Sequence, residues 1–258
     1  MHININEFVS FANSLADSAS KTSMQYFRKK LNIENKIDES PVTIADKETE
    51  EIIRDNIRKK FPNHGILGEE YEDENLESEY VWVIDPIDGT RSYIAGHKDF
   101  GNLISLLHNN NPILGIINCP AHKERWIGIR NKKTTCNGKE VSTSGIKKIE
   151  DAYLFTSGIY FKEPVIRKGF ETVKEKSKFY RLGGDCYMYG MLSSGLIDIV
   201  IEDTLKAHDY MALVNVIEGA GGKITDKNGK SINLKSNGSL IACSSSELHS
   251  DIIKIINN

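Results

Sequence analysis

Apolar positions divide the chain into segments of different period. Between Ile5 and Phe27 they fall at Ile5, Phe8, Val9, Ala12, Leu15, Ala16 and Ala19, one face of an amphipathic helix. Pro41 breaks the stretch that begins at Lys36. Ala45, Ile52, Ile53, Ile57 and Phe61 then restore the helical period up to Pro62, with Thr43 placed as N-cap. After a short run at residues 64–68, the compact apolar sequence Tyr80-Val-Trp-Val-Ile84 predicts a strand buried on both faces and closed by Asp85. Strands at residues 102–108, 113–118, 125–130 and 134–141, separated by turn-sized gaps, read as an antiparallel meander.

From residue 151 onward the pattern alternates. Strands are expected at 152–156, 179–182, 197–202, 223–225 and 240–243, and helices at 164–176, 185–194, 209–219 and 246–256. Alternation of this kind indicates a second α/β layer, so the class is α/β (α+β). The shift near 145–150 marks a soft boundary between an N-terminal subdomain, 1–148, and a C-terminal one, 149–258, within one compact unit.

The central strand runs into Asp85-Pro-Ile-Asp-Gly-Thr90. Two carboxylates three residues apart on a tight turn face one small volume. At an effective dielectric near 20, two charges 4 Å apart cost roughly 4 kcal/mol. A hard divalent cation removes that cost, and Mg²⁺ suits a mixture of Asp85, Asp88, the Ile87 carbonyl and water. The Gly89 and Thr90 amides, at the start of a helical turn, suit a phosphate. The plain alternative for the same residues is an Asx-type turn leading into a helix.

Composition narrows the partners. With 258 residues, 39% apolar and 27% charged, the chain has the makeup of an ordinary globular protein able to bury a sizeable core. A net charge of −3 with scattered Lys and Arg gives no footprint for nucleic acid or an anionic membrane. No signal-like N-terminus and no run of 18 apolar residues is present, so a cytoplasmic protein is expected. Cys119, Cys136, Cys186 and Cys243 are widely spaced and read as reduced thiols. Cys119-Pro-Ala-His122 is half a zinc motif without a second half, and reads as a turn. Gly219-Ala-Gly-Gly222 follows a helix rather than a strand, which fits a helix end and not a dinucleotide loop. No Walker loop, H-x-x-x-H pair or G-x-S-x-G elbow occurs.

Three further acidic features accompany the turn. Gly68-Glu69-Glu70 places two acids after a short apolar run, although such a pair is often mere surface charge. Asp209 stands at the entrance of an apolar helix, where capping is the simpler role. Asp46, in Thr43-Ile-Ala-Asp46, can likewise be a first-turn helical Asp.

Together, Ser-Pro-Val-Thr-x-Ala-Asp at 40–46, Gly-Glu-Glu at 68–70, Trp-Val-Ile-Asp-Pro-Ile-Asp-Gly-Thr at 82–90, and Asp209 followed by Glu-Gly-Ala-Gly-Gly at 218–222 resemble the inositol monophosphatase family over nearly the whole chain. The resemblance implies a layered αβαβα sandwich and Mg²⁺-dependent, lithium-sensitive phosphatase activity, with two or three ions per site. It implies metal ligands at Glu69, Asp85, the Ile87 carbonyl, Asp88 and Asp209, with Glu70 near a weaker ion, and a phosphate seat at Gly89 and Thr90. It also implies a homodimer. His208 precedes Asp209 where the family commonly has Trp.

Within the family, Arg91-Ser-Tyr-Ile-Ala-Gly96 and Gly183-Gly-Asp-Cys-Tyr-Met-Tyr189 look most like the histidinol-phosphate phosphatase branch. Histidinol carries an ammonium and an imidazole, so carboxylates in its pocket are favourable. Asp185 and Glu202 fall in segments that resemble the family's leaving-group pocket, with Arg91 and Asp209 as further substrate contacts. A neutral inositol ring could accept the same acids as hydrogen-bond partners, and helix capping is the alternative for Asp185. The expected reaction is in-line hydrolysis of a small phosphate monoester, with Thr90, oriented by Asp46, as proton acceptor and Asp88 in the metal site. Its rivals are another small-phosphate phosphatase, such as one for inositol, sugar or nucleotide phosphates, and a catalytically silent Mg²⁺ or phosphate-binding regulator.

Overall fold

The computed structural model describes residues 5–35 and 41–258, so Ser40 and the rest of the 36–40 stretch lie outside the described residues. The molecule is built in five layers. A seven-stranded sheet comprises β3 (Gly65–Leu67), β4 (Tyr80–Asp88), β5 (Gly101–His108), β6 (Asn111–Cys119), β7 (Glu124–Ile129), β8 (Thr135–Cys136) and β9 (Lys139–Glu140), in that spatial order. In this sheet β3 and β4 pair in parallel, and β4 to β9 form the expected antiparallel meander. Helices α1 (Ile5–Tyr26) and α2 (Ile44–Lys60) cover one face.

The other face meets α5 (Asp185–Ser193) and α6 (Ala207–Gly219), and beyond them lies a five-stranded sheet ordered β11-β10-β12-β14-β13. Its strands are β10 (Tyr153–Thr156), β11 (Phe179–Leu182), β12 (Ile199–Glu202), β13 (Lys223–Thr225) and β14 (Leu240–Cys243). The outermost layer is α4 (Pro164–Lys176) with α7 (Ser246–Ile256). This is the αβαβα sandwich expected from the sequence.

The period of β4 explains the layering. Trp82 and Ile84 pack with Phe8, Leu15, Ile53 and Ile57, while Val81 and Val83 join Met188, Met211 and Leu213 on the opposite face. Helix α6 lies close on the sheet where β6 carries Gly115 and so has no side chain beneath Ala212. A Cβ at Gly115 would stand 2.0 Å from the Ala212 carbonyl oxygen. The start of α6 is thereby fixed over the end of β4.

Several boundaries differ from expectation. Residues 134–141 form a small hairpin, β8 and β9, turned by Asn137 and Gly138, both at positive φ. Residues 33–35 and 41–43 pair as an antiparallel ribbon, β1 (Ile33–Asn35) and β2 (Pro41–Thr43), that no periodicity announces. Helix α6 starts at Ala207, two residues early, and β4 continues beyond Asp85 to Asp88. No helix among the described residues is long and apolar enough to cross a membrane.

Candidate active site

Asp85 shares the parity of Val81 and Val83, so its side chain belongs to the face that meets α6. The ladder with β5 then steps from Asp85 opposite Leu103 to Asp88 opposite Gly101, one extra residue on β4. Such a bulge reverses the alternation. Asp88 therefore takes the side of Asp85, and Ile87 turns the other way into a cluster with Ala45, Tyr93 and Phe100. Pro86, which has no N–H to leave unpaired, sits in the bulge, and its carbonyl accepts from Asn102 Nδ2 at 2.6 Å. Asp209, on the first turn of α6, completes the cluster: one carboxylate oxygen from each of Asp85, Asp88 and Asp209 lies within 4.8 Å of the others.

The electrostatics of this cluster are unfavourable as it stands. Asp85 is buried, and its Oδ1 has no hydrogen-bond partner. Burial, followed by the charges of Glu69, Asp88 and Asp209, pushes its carboxyl well above the usual range. Asp88 is likewise raised well above the ordinary value, by burial and then by Asp185 and Asp209, although the Cys186 amide donates to its Oδ2 at 2.6 Å. Burial also raises Asp209; His208 and the Lys206 amide, 2.6 Å from Asp209 Oδ2, oppose the shift. An orphaned buried oxygen among converging carboxylates is a donor set that fits a hard divalent cation.

Glu69 and Glu70 are half-buried in the loop after β3, which lies beside β4. Glu69 is near enough for its charge to raise Asp46, Asp85 and Asp209, but it lies outside the 4.8 Å group. Glu70 is felt instead by Lys47 and Tyr71.

Beyond the bulge, Gly89 adopts φ +83 and caps a one-turn helix, α3 (Thr90–Ile94). The Thr90 hydroxyl lies 3.3 Å from Asp46 Oδ1 and 3.1 Å from the Ile87 carbonyl oxygen. Asp46 is fully buried, and its Oδ2 accepts from the Thr43 amide at 2.8 Å and the Thr43 hydroxyl at 2.7 Å. Its capping role is therefore real, yet its second oxygen faces Thr90. Burial raises its carboxyl, which favours taking up a proton.

The acidic wall is drawn from the other sheet. Asp185 opens α5 at φ +39 after Gly183 and Gly184, also at positive φ. It does not cap the helix, which corrects that alternative: Gly184 holds the cap position, and the Ser92 hydroxyl donates to Asp185 Oδ2 at 2.5 Å. Gly89 is needed here too, since a Cβ would stand 2.8 Å from the Asp185 carboxyl carbon. Glu202 ends β12, buried, and accepts from the Ser157 hydroxyl, the Ser157 amide at 3.2 Å and the Tyr189 hydroxyl at 2.6 Å. Burial pushes its carboxyl up to about 7, with Asp185 adding to the shift and these hydrogen bonds opposing it.

Asp88, Asp185, Glu202 and Asp209 line one cavity of about 40 Å³. Ser157 and Glu202 also border an adjoining hollow of about 680 Å³, at whose rim stands the exposed Arg91. A larger hollow of about 720 Å³ beside α1 shares no residue with the acidic cluster. The hydroxyls of Ser92, Ser157 and Tyr189 hold the acidic wall; Ser92 and Tyr189 fall within the motifs noted in the sequence without a role assigned to them, and Ser157 carries no spacing signal.

Carboxylates gathered this closely beside a hydroxyl and the start of a helix suit metal-assisted hydrolysis of a phosphate ester, and known proteins of similar sequence are phosphatases. The chain belongs to the inositol monophosphatase family, whose model matches residues 4–258. It is 44% identical over 242 residues to the bifunctional phosphatase IMPL2, chloroplastic, of Arabidopsis thaliana, covering 93% of this chain and 70% of that protein. It is 34% identical to the histidinol-phosphatase of Chlorobaculum parvum, covering 85% of each. An inositol monophosphatase from Zymomonas mobilis superposes with a TM-score of 0.90 at 37% identity, over 99% of both chains.

Proposed function

We propose that this phosphatase is Mg²⁺-dependent and hydrolyses L-histidinol phosphate. The observation that carries the substrate reading is the pairing of Asp185 with Glu202 in the cavity that also contains Asp88 and Asp209. Two further carboxylates beyond a metal cluster disfavour an anionic leaving group and favour one that brings cations. The name of the Chlorobaculum parvum relative supports the same substrate.

Mg²⁺ would be held by Glu69, Asp85, the Ile87 carbonyl, Asp88 and Asp209, with Glu70 further out, and would supply charge neutralisation and acidification of a water. The Gly89 and Thr90 amides would seat the phosphate. Thr90 can accept a proton from the attacking water only as it passes its own to Asp46 Oδ1, 3.3 Å away. Asp185 and Glu202 would receive the ammonium and imidazole, and Arg91 would guard the entrance. Li⁺ inhibition is expected of such a site.

Residues 1–148 would act as the metal-turn subdomain and residues 149–258 as the leaving-group subdomain. Their unity is supported by a shared core that includes Val83, Phe155, Val200 and Met211. A homodimer is supported by the edge strand β11, where Phe179, Tyr180 and Leu182 are all exposed. The free cysteines suit a reducing cytoplasm.

The deciding experiment is phosphate release from L-histidinol phosphate, inositol 1-phosphate, fructose 1,6-bisphosphate and glycerol phosphate, each with Mg²⁺. Histidinol phosphate should show the highest kcat/KM. A higher value for inositol 1-phosphate would replace this substrate reading with the inositol one.

A further inference from the structure

Helix α2 carries a buried ion pair that the chemistry above does not use. Glu50 is fully buried, and Arg54, one turn on, is 2% exposed; Arg54 Nε donates to Glu50 Oε1 at 2.7 Å. Burying two charges is expensive unless their remaining hydrogen-bonding capacity is filled. For Glu50 it is filled by three consecutive backbone amides of the loop after β3. Glu69 N and Glu70 N donate to Oε2 at 3.0 and 2.8 Å, and Tyr71 N to Oε1 at 3.3 Å. Arg54 holds the same loop from its carbonyl side, donating to Tyr71 O at 3.1 Å and Glu72 O at 3.0 Å. Gly68 makes room: a Cβ there would lie 2.0 Å from Glu50 Oε1.

We infer that Glu50 is a positioning residue for the metal site, fixing the backbone of Glu69 and Glu70 before any cation arrives. The inference rests on the reading of Glu69 and Glu70 as metal ligands. The physical logic is preorganisation. Glu69 in this loop is repelled by Asp85 and Asp209, and a backbone anchor opposes its displacement toward solvent when no cation is bound. A buried carboxylate that collects successive amides holds the backbone through donors the metal does not need. Glutamine in place of Glu50 preserves shape but sets an NH₂ group against amide donors or against Arg54, so part of the anchor must fail.

The test uses the metal-free full chain with Glu50→Gln, Gly68→Ala, and Ile57→Ala as a stability control. Ile57 lies on the same helix, fully buried, in the core on the far side of the sheet from the acidic cluster. Hydrogen exchange of the Glu69, Glu70 and Tyr71 amides should accelerate about tenfold or more in Glu50→Gln relative to Ile57→Ala. Calorimetric Mg²⁺ affinity should fall about 10–100-fold in Glu50→Gln, the usual consequence of losing a group that orients ligands. In Ile57→Ala it should stay near wild type, and the KM for substrate at saturating Mg²⁺ should be unchanged in both. Gly68→Ala displaces the same carboxylate from the loop side and should reproduce both effects if Glu50→Gln fails to fold.

Unchanged exchange at residues 69–71 would overturn the anchor. Faster exchange with unchanged Mg²⁺ affinity would overturn its role in metal binding. Glu69→Gln separates this inference from the reading beneath it: if that variant binds Mg²⁺ normally, the ligand assignment fails, while the exchange result still judges the anchor.

Discussion

Replacing Asp88 by Asn should stabilise the metal-free protein and destroy its catalysis. Asp88 faces the carboxylates of Asp85 and Asp209 within 4.8 Å and also feels Asp185. At that separation and an effective dielectric near 20, each ionised pair costs roughly 3.5 kcal/mol. Partial protonation already relieves some of this, so a net gain of about 1–3 kcal/mol is expected from the neutral amide. The asparagine carbonyl can keep the bond from the Cys186 amide, now 2.6 Å long, while its NH₂ donates toward the acidic neighbours. For a chain of this size the gain corresponds to a rise in Tm of about 2–4 °C per kcal/mol.

Thermal melts in EDTA and in Mg²⁺, paired with phosphate-release kinetics, read both effects. Wild type should gain stability from Mg²⁺ and the variant little, reversing their order, with turnover lowered about a hundredfold or more. A variant that melts below wild type in EDTA, or retains more than about a tenth of the rate at saturating Mg²⁺, would refute the repulsive-cluster reasoning.

Thr90→Ala should lower kcat by about 10²–10⁴-fold while leaving KM close to wild type, because the backbone seat and the carboxylates survive; a raised KM with normal kcat would make Thr90 a binding residue. Asp185→Asn should reduce kcat/KM for histidinol phosphate about 10–100-fold and for glycerol phosphate far less. Asparagine tolerates φ +39 as aspartate does, so equal losses on both esters would assign Asp185 a structural role. His249 is buried beside Thr225 Oγ1 at 2.8 Å, and burial, reinforced by Lys223, lowers its pKa from 6.5 to about 4. The unfolded chain therefore binds the proton first. The stability this group contributes is complete above pH 6.5 and is lost as pH falls toward 4, on the order of 3 kcal/mol in all. Denaturant titrations of His249→Gln should show a flatter pH dependence across that window, and identical curves would contradict the assignment.

The elements that repeat a period were legible in the sequence. The helical face of α1 and the apolar run of β4 define their layers without further information, because a helix or strand has one way to bury each pattern. The convergence of Asp85 and Asp88 was expected from a tight turn and is found, but the device that produces it was not visible. Strict alternation puts Asp85 and Asp88 on opposite faces, and only the one-residue bulge in pairing with β5 brings them together. For Asp185 the sequence left helix capping as the alternative to a pocket role, because an acid at a helix start usually serves the helix. Here two preceding glycines at positive φ carry the backbone around so that the carboxylate meets Ser92, far away in sequence. Glu50 and Arg54 had the spacing of an ordinary surface ion pair, and nothing local shows that a distant loop buries them.

Anomalous diffraction from crystals soaked in Mn²⁺, as an X-ray-visible stand-in for Mg²⁺, tests the metal-dependent site directly. A peak enclosed by Asp85, Asp88 and Asp209, with a second beside Glu69 and the Ile87 carbonyl, is the predicted result. Manganese elsewhere on the molecule, with no density among those three carboxylates, would contradict it.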